Sequence, residues 1–110
     1  MKVTLNNKTY TLKSAYQKDE KSRKAFNQLA VKTFDLSFED WYQASYWNER
    51  YRPYTLFEEG KAIANASINL MDFKINDAIQ RFIQIGTVMT DVAYRNQGLS
   101  RFLMETILKK

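Results

Sequence analysis

The sequence predicts a single α+β domain. Three observations carry that reading. The chain has 110 residues and 13.0 kDa, enough for one modest core and no second domain. Apolar residues recur at three- and four-residue spacing from Asp19-Glu20 to Phe34 and again from Leu99 to Lys110. Between these stretches lie segments at 54–58, 61–71 and 81–90 with strand character, two of them joined by a tight-turn dipeptide.

The elements follow in order. Asn6-Asn7 is turn-like, and Thr9-Tyr10-Thr11-Leu12-Lys13 is a short β-prone run, expected as the first strand. Asp19-Glu20 opens a helix whose Phe26, Leu29, Ala30 and Phe34 face the core, with Lys21, Arg23, Lys24 and Gln28 polar. Ser37 is placed to cap a second helix, with Asp40 three residues on and Trp41, Ala44 and Ser45 along one side. Pro53, the only proline, stops any helix and pushes Arg52 to an extended conformation.

Tyr54-Thr55-Leu56-Phe57-Glu58 then forms a strand, and Glu59-Gly60 turns the chain, with Gly60 free to take positive φ. Lys61 to Met71 is the next strand. Ala62, Ala64, Ala66, Ile68 and Leu70 share one face, and Ile63, Asn65, Ser67, Asn69 and Met71 share the other. Small alanines predict a helix packed close above them. Asp72 to Ile79 is mixed in character and is expected to connect. Arg81 to Thr90 is apolar on both faces, which predicts an interior strand buried on two sides. In the closing helix Leu99, Phe102, Leu103, Thr106 and Ile107 share a face, and Lys109 and Lys110 suit its C-terminal dipole.

Composition removes several chemistries. Cysteine and histidine are both absent, so disulfides, thiolate or imidazole metal sites, thiol nucleophiles and histidine bases are excluded. Proton transfer falls to carboxylates, tyrosine, lysine, backbone or water. The net charge of +5 is scattered, ten basic against eight acidic residues over 1–60 and seven against four over 61–110. A nucleic-acid module would cluster its Lys and Arg, so that reading is the weakest. The N-terminus lacks a signal-peptide pattern and no apolar run is long enough to span a membrane, so a cytoplasmic protein without a membrane partner is expected.

One segment carries chemistry. From Thr87 to Leu108 a strand leads through a short glycine-containing loop into an amphipathic helix. Such a junction presents free N–H groups and the positive end of a helix dipole. Arg95 and Arg101 stand beside it, Gly98 permits close approach, and Ser100 adds a hydroxyl. These features describe a site for phosphate or pyrophosphate, although an ordinary strand–turn–helix joint would read the same way.

The residues from Ile85 through Thr90-Asp91-Val92-Ala93-Tyr94-Arg95-Asn96-Gln97-Gly98-Leu99-Ser100 resemble the coenzyme segment of the GNAT family of N-acetyltransferases. The family signature is Gln or Arg, two residues, Gly, one residue, then Gly or Ala. Arg95, Gly98 and Ser100 occupy the three positions, Ser100 departing from the usual residue but remaining small. The resemblance is specific over 85–104 and looser elsewhere, through the aromatics before Pro53 and Asn65-Ala66-Ser67.

What it implies is concrete. The fold would be a mostly antiparallel sheet with two N-terminal helices and the coenzyme-binding helix. The N–H groups from Asn96, Gln97, Gly98, Leu99 and Ser100 to Arg101 would hold the pyrophosphate of acetyl-CoA. Met89, Thr90 and Asp91 would pair their main chain with the pantetheine arm. A backbone N–H near Thr90 would polarise the thioester carbonyl, an amine on a small-molecule or peptide acceptor would attack it directly, and Asp91 is a candidate for assisting proton transfer. No covalent enzyme intermediate and no metal are required.

The family continues past the coenzyme helix with a further strand that forms half of the cleft and a helix that supplies the leaving-group acid. This sequence is therefore expected to be the N-terminal part of a family domain, a weak enzyme alone, with a second copy or a C-terminal segment along the strand 81–90. The alternative is a non-catalytic remnant that binds an anion or a partner chain through the same surface. Trp41, Tyr46, Trp47, Tyr51 and Tyr54 line the acceptor entrance or simply fill the core. Glu49, Glu58 and Glu59 are further candidates for proton removal through water. Asn65, Ser67 and Asn69 would contact the acceptor or one another.

Overall fold

A computed structural model describes residues 1–109. Lys110, assigned above to the last helix, lies outside the described residues. The elements are β1 (Lys2–Leu5), β2 (Lys8–Ser14), α1 (Glu20–Phe34), α2 (Glu39–Gln43), β3 (Tyr51–Glu58), β4 (Lys61–Ile75), β5 (Ala78–Thr90), a 3₁₀ turn (Val92–Tyr94) and α3 (Leu99–Leu108). The five strands lie in sequence order in one sheet, every neighbouring pair antiparallel.

Local chemistry sets this order. Asn6-Asn7, Glu59-Gly60 and Asn76-Asp77 each place two consecutive residues at positive φ, the turn whose twist matches a two-residue hairpin. Between β2 and β3 the chain instead forms α1 and α2. Asp19 caps α1 by accepting from the Lys21 N–H, and Asp35 ends it in the left-handed region.

The sheet separates two cores. On one face Phe26, Leu29 and Ala30 of α1 meet Trp47, Tyr51, Phe57 and Met89. On the other, Leu99, Leu103 and Ile107 of α3 settle on Tyr54, Leu56, Ala64, Ala66 and Ile68. The alanines of β4 do admit a helix closely, as their size predicts. Ile63 interrupts the alternation, however. It is an extra residue between Phe57↔Ala62 and Leu56↔Ala64, so Ala62 faces α1 while Ala64 and Ala66 face α3. Arg23 of α1 is buried rather than polar-facing. It bonds the Gln17 carbonyl at 2.7 Å, pairs with Glu39 at 3.3 Å and stacks on Tyr42, which pins α2 to α1.

The structure departs from expectation at several places. β1 was not expected, because four residues at a sheet edge carry little periodic signal. β3 begins at Tyr51 and contains Pro53, which pairs with Ser67. β2 stops opposite Tyr54, so Pro53 lies where β3 has lost its neighbour on that side, the setting a strand tolerates for proline. Residues 72–79 are not a connection but the end of a long hairpin turning at Asn76-Asp77. With neither face of that arm buried, no alternation marks it as strand. Phe34 is exposed. β5 is an edge strand rather than an interior one: Phe82 is 47%, Ile83 60% and Val88 43% exposed, and Phe82 meets Phe73 of the same hairpin edge-on.

Candidate functional site

The site is built where β5 ends. Asn65 pairs with Met89 and Ser67 with Gly86, so Thr87 and Val88 together oppose Ala66. This bulge interrupts the ladder. Thr87 has φ 49°, the left-handed region that a β-branched residue avoids.

Polar groups beneath the bulge hold it. The Asn65 amide donates to the Thr87 carbonyl at 2.8 Å and to Ser67 Oγ at 2.9 Å, and its oxygen accepts from Thr55 at 2.6 Å. Thr55 spends its hydrogen there, so the Tyr16 hydroxyl donates to Thr55, also at 2.6 Å. The Tyr51 hydroxyl donates to Thr87 Oγ1 at 3.0 Å. Burial pushes the Tyr16 hydroxyl well up, and the Tyr51 hydroxyl up, from the ordinary tyrosine value, so both stay protonated as donors.

Asp91 follows directly. Its N–H donates to the Ile63 carbonyl at 2.8 Å, and one carboxylate oxygen accepts from Ala93 N–H at 2.9 Å, capping the 3₁₀ turn. The other oxygen faces Lys61 at 3.3 Å and Lys32 at 3.5 Å. The Ala93 hydrogen bond, followed by the lysines, outweighs burial and holds this carboxyl below the usual carboxylate range. Asp91 is thus a fixed anion at neutral pH. Tyr94 donates to Glu58, and that carboxylate pushes its hydroxyl up to about 12.

Past Tyr94 the loop turns through Asn96 at φ 64° and Gly98 at φ 76°. Gly98 is the N-cap of α3 and offers no side chain, so the first-turn N–H groups of Leu99, Ser100 and Arg101 are left for another acceptor. A β-carbon built at Gly98 would meet open space, so the constraint there is backbone conformation rather than crowding. Ser100 Oγ and Thr90 Oγ1 lie 2.8 Å apart, tying helix start to strand end. Asn6, in the β1–β2 turn, donates to the Gln97 carbonyl at 2.8 Å and braces the loop from across the sheet.

These elements enclose a cleft of about 340 Å³ lined by Val88, Met89, Thr90, Asn96, Gly98 and Ser100, with Arg95 and Arg101 at its edge. Arg101 also pairs with Glu105 at 3.2 Å. A larger groove of about 820 Å³ runs along α1, with Lys32, Lys61 and Asp91 on its wall. The structure therefore brings Met89, Thr90, Arg95, Asn96, Gly98, Leu99, Ser100 and Arg101 to one cleft, while Gln97 does not line it and Asp91 lies on the α1 groove instead. Glu49 and Glu59 lie outside that cleft, and Glu58 is engaged by Tyr94. The aromatics divide: Trp47, Tyr51 and Tyr54 are buried, Trp41 packs edge-on to Tyr51, and Tyr46 is exposed.

Sequence reasoning did not find Thr87, Thr55 and Tyr16. A signal existed: Thr55, Asn65 and Ser67 are polar residues on one face of two buried strands. The Asn6 brace, 91 residues from Gln97, had none. Among the described residues no acidic cluster is arranged to hold a metal, and no helix is long and apolar enough to cross a membrane.

Comparison with known proteins defines the class. The acetyltransferase (GNAT) domain family matches residues 12–110, and the chain belongs to that family. Solved structures share its fold. The glucosamine-6-phosphate N-acetyltransferase of Arabidopsis thaliana superposes with a TM-score of 0.67 at 17% identity, over 93% of this chain and 74% of that one. An acetyltransferase of Trypanosoma brucei gives 0.71 at 15%, over 91% and 72%. An aminoglycoside 6′-N-acetyltransferase of Acinetobacter haemolyticus gives 0.67 at 16%, over 90% and 69%. At these identities the likeness is one of fold, and the sheet described here forms part of the larger family fold. Comparison with curated proteins gives no match.

Proposed function

We propose that this chain binds acetyl-CoA at the β5–α3 junction and belongs to an N-acetyltransferase that passes the acetyl group to an amine. The observation that carries the reading is the uncapped first turn of α3, opening at left-handed Gly98 onto a cleft floored by the end of β5. The N–H groups from Asn96 to Arg101 would receive the pyrophosphate, as helix N-termini receive phosphates generally. Arg95, exposed at the cleft edge, adds positive charge. Met89 and Thr90 would offer main-chain groups to the pantetheine arm.

Acetyl-CoA supplies an activated thioester, so the protein needs to orient the acyl carbon and stabilise charge on its oxygen. Of the backbone groups near Thr90, the Asp91 N–H is already committed to Ile63, which directs that role to the bulge region. Asp91 acts in this reading as a fixed negative charge that organises the loop. Calorimetry tests the reading: coenzyme A should bind the wild-type chain, and Gly98→Val should weaken it strongly. Equal binding by both proteins refutes the site.

On this reading the chain is the N-terminal part of a family domain; its match to 69–74% of each relative above supports a partial domain. Thiol release from acetyl-CoA with a panel of amines should then be slow for this chain alone, and robust turnover by a verified monomer would contradict it. A second reading, a non-catalytic module that binds a partner chain, is favoured by one observation. The outer edge of β5 is unpaired and apolar, its one charge, Arg81, being drawn to Asp72 at 3.0 Å.

A further inference from the structure

Thr87 stands apart from the other residues at positive φ. Among the described residues nine further non-glycine residues share that conformation, and Thr87 is the only one of the set that is β-branched and inside a strand. Such a conformation persists only where its surroundings impose it. Here two side chains do so. Asn65, fully buried, donates to the Thr87 carbonyl, and Tyr51, also buried, donates to its hydroxyl. Asn65 has no donor to spare. Both amide hydrogens are placed, on Thr87 and Ser67, and its oxygen is held by Thr55, itself fixed by Tyr16.

The strand beyond Thr87 forms one wall of the cleft through Val88, Met89 and Thr90. The opposite end of the cleft is built by different residues, the loop at Asn96–Gly98 and the first turn of α3. The two ends share Thr90, which pairs with Ala64 and is tied to Ser100, and otherwise rest on different supports. Losing the hydrogen bonds at Thr87 lets the bulge relax towards ordinary extended backbone and shifts Val88 and Met89, while the Ala64 pairing holds Thr90 and the Asn6 bond braces the loop.

We propose that Asn65 and Tyr51 are positioning residues for the acyl end of a thioester donor, acting by holding Thr87 in its left-handed conformation. This rests on the acetyl-CoA reading above and extends it to residues that line neither the helix turn nor the loop.

The experiment compares wild type with Asn65→Ala, Tyr51→Phe and the double variant Asn65→Ala/Thr87→Gly. Calorimetry measures coenzyme A and acetyl-CoA separately, and nuclear magnetic resonance follows the backbone of Thr87, Val88 and Met89. Coenzyme A affinity should stay within about twofold of wild type throughout, while the acetyl-CoA to coenzyme A affinity ratio falls about tenfold in Asn65→Ala. Tyr51→Phe, which removes one hydroxyl and keeps the core, should show a smaller fall in the same direction and stands in if Asn65→Ala does not fold. Glycine adopts positive φ unaided, so Thr87→Gly should restore both the ratio and the backbone signals in the Asn65→Ala background. An unchanged ratio, unmoved Thr87 signals, or parallel loss of both ligands without rescue would overturn the proposal. A wild-type chain that binds neither ligand would instead overturn the acetyl-CoA reading, and the acyl role assigned to Asn65 and Tyr51 with it.

Discussion

Replacing Gly98 separates the two demands made on the β5–α3 junction. Gly98 has φ 76° and ψ 15°, and a β-carbon there would meet no heavy atom within 4 Å. The penalty of substitution is therefore conformational. An alanine in the left-handed region costs about 1–2 kcal/mol, a β-branched valine more, and an asparagine less, because its short polar side chain tolerates that region. For a domain of this size about 1 kcal/mol corresponds to a Tm lower by roughly 5 °C.

Binding should suffer beyond stability. If valine pulls the loop out of the left-handed region, the first-turn N–H groups no longer converge. Losing one or two charge-assisted hydrogen bonds, at about 1.5–3 kcal/mol each, predicts a coenzyme A affinity lower by at least about tenfold. Thermal unfolding and calorimetry on Gly98→Asn, Gly98→Ala and Gly98→Val should place the variants in that order from mildest to most severe, in both measurements. Valine with wild-type affinity, or asparagine as damaging as valine, would refute the reasoning.

Asp91→Asn should cost about 1–2 kcal/mol at neutral pH, because Lys32 and Lys61 lose their shared anion while the cap on the 3₁₀ turn weakens. The folded carboxyl titrates below its ordinary value of 3.8, so this stabilisation is complete above that pH and is lost as pH falls through the lowered value; wild type and variant should converge in acid unfolding, and a constant gap down to strongly acidic pH would contradict the assignment. Asn6→Gly, which keeps the positive φ of the turn, should lower coenzyme A affinity a few-fold with little change in Tm, since the side chain is exposed and bonds only the Gln97 carbonyl; wild-type affinity would show that the loop needs no brace. Leu103→Ala, at the buried centre of α3, should destabilise by about 2–5 kcal/mol, measured by urea unfolding. The β5 edge should drive self-association, seen as a sedimentation coefficient that rises with concentration; a monodisperse monomer whose residues 82–90 exchange amide protons as slowly as the core would overturn it.

The sequence by itself determined the elements whose signal is local. The period of Phe26, Leu29 and Ala30 and that of Leu99, Leu103 and Ile107 announced α1 and α3, because each helix buries one stripe. Glu59-Gly60 and Asn6-Asn7 announced turns, because few residues accept positive φ cheaply. The run from strand through a glycine-containing loop into an amphipathic helix likewise announced the β5–α3 junction, since such a joint is made by backbone over a handful of consecutive residues. Tertiary structure alone decided the rest. Ile63 and the Thr87–Val88 pair bulge out of register only because β3, β4 and β5 align, and a bulge is a relation between strands. Phe82 and Ile83 look like core residues, yet their burial depends on a neighbour that sequence pattern cannot supply. Of the Asn65 network, Thr55, Asn65 and Ser67 show in the sequence as polar residues on strand faces, but the links to residues 16, 51 and 87 join distant positions and leave no periodic trace in the chain.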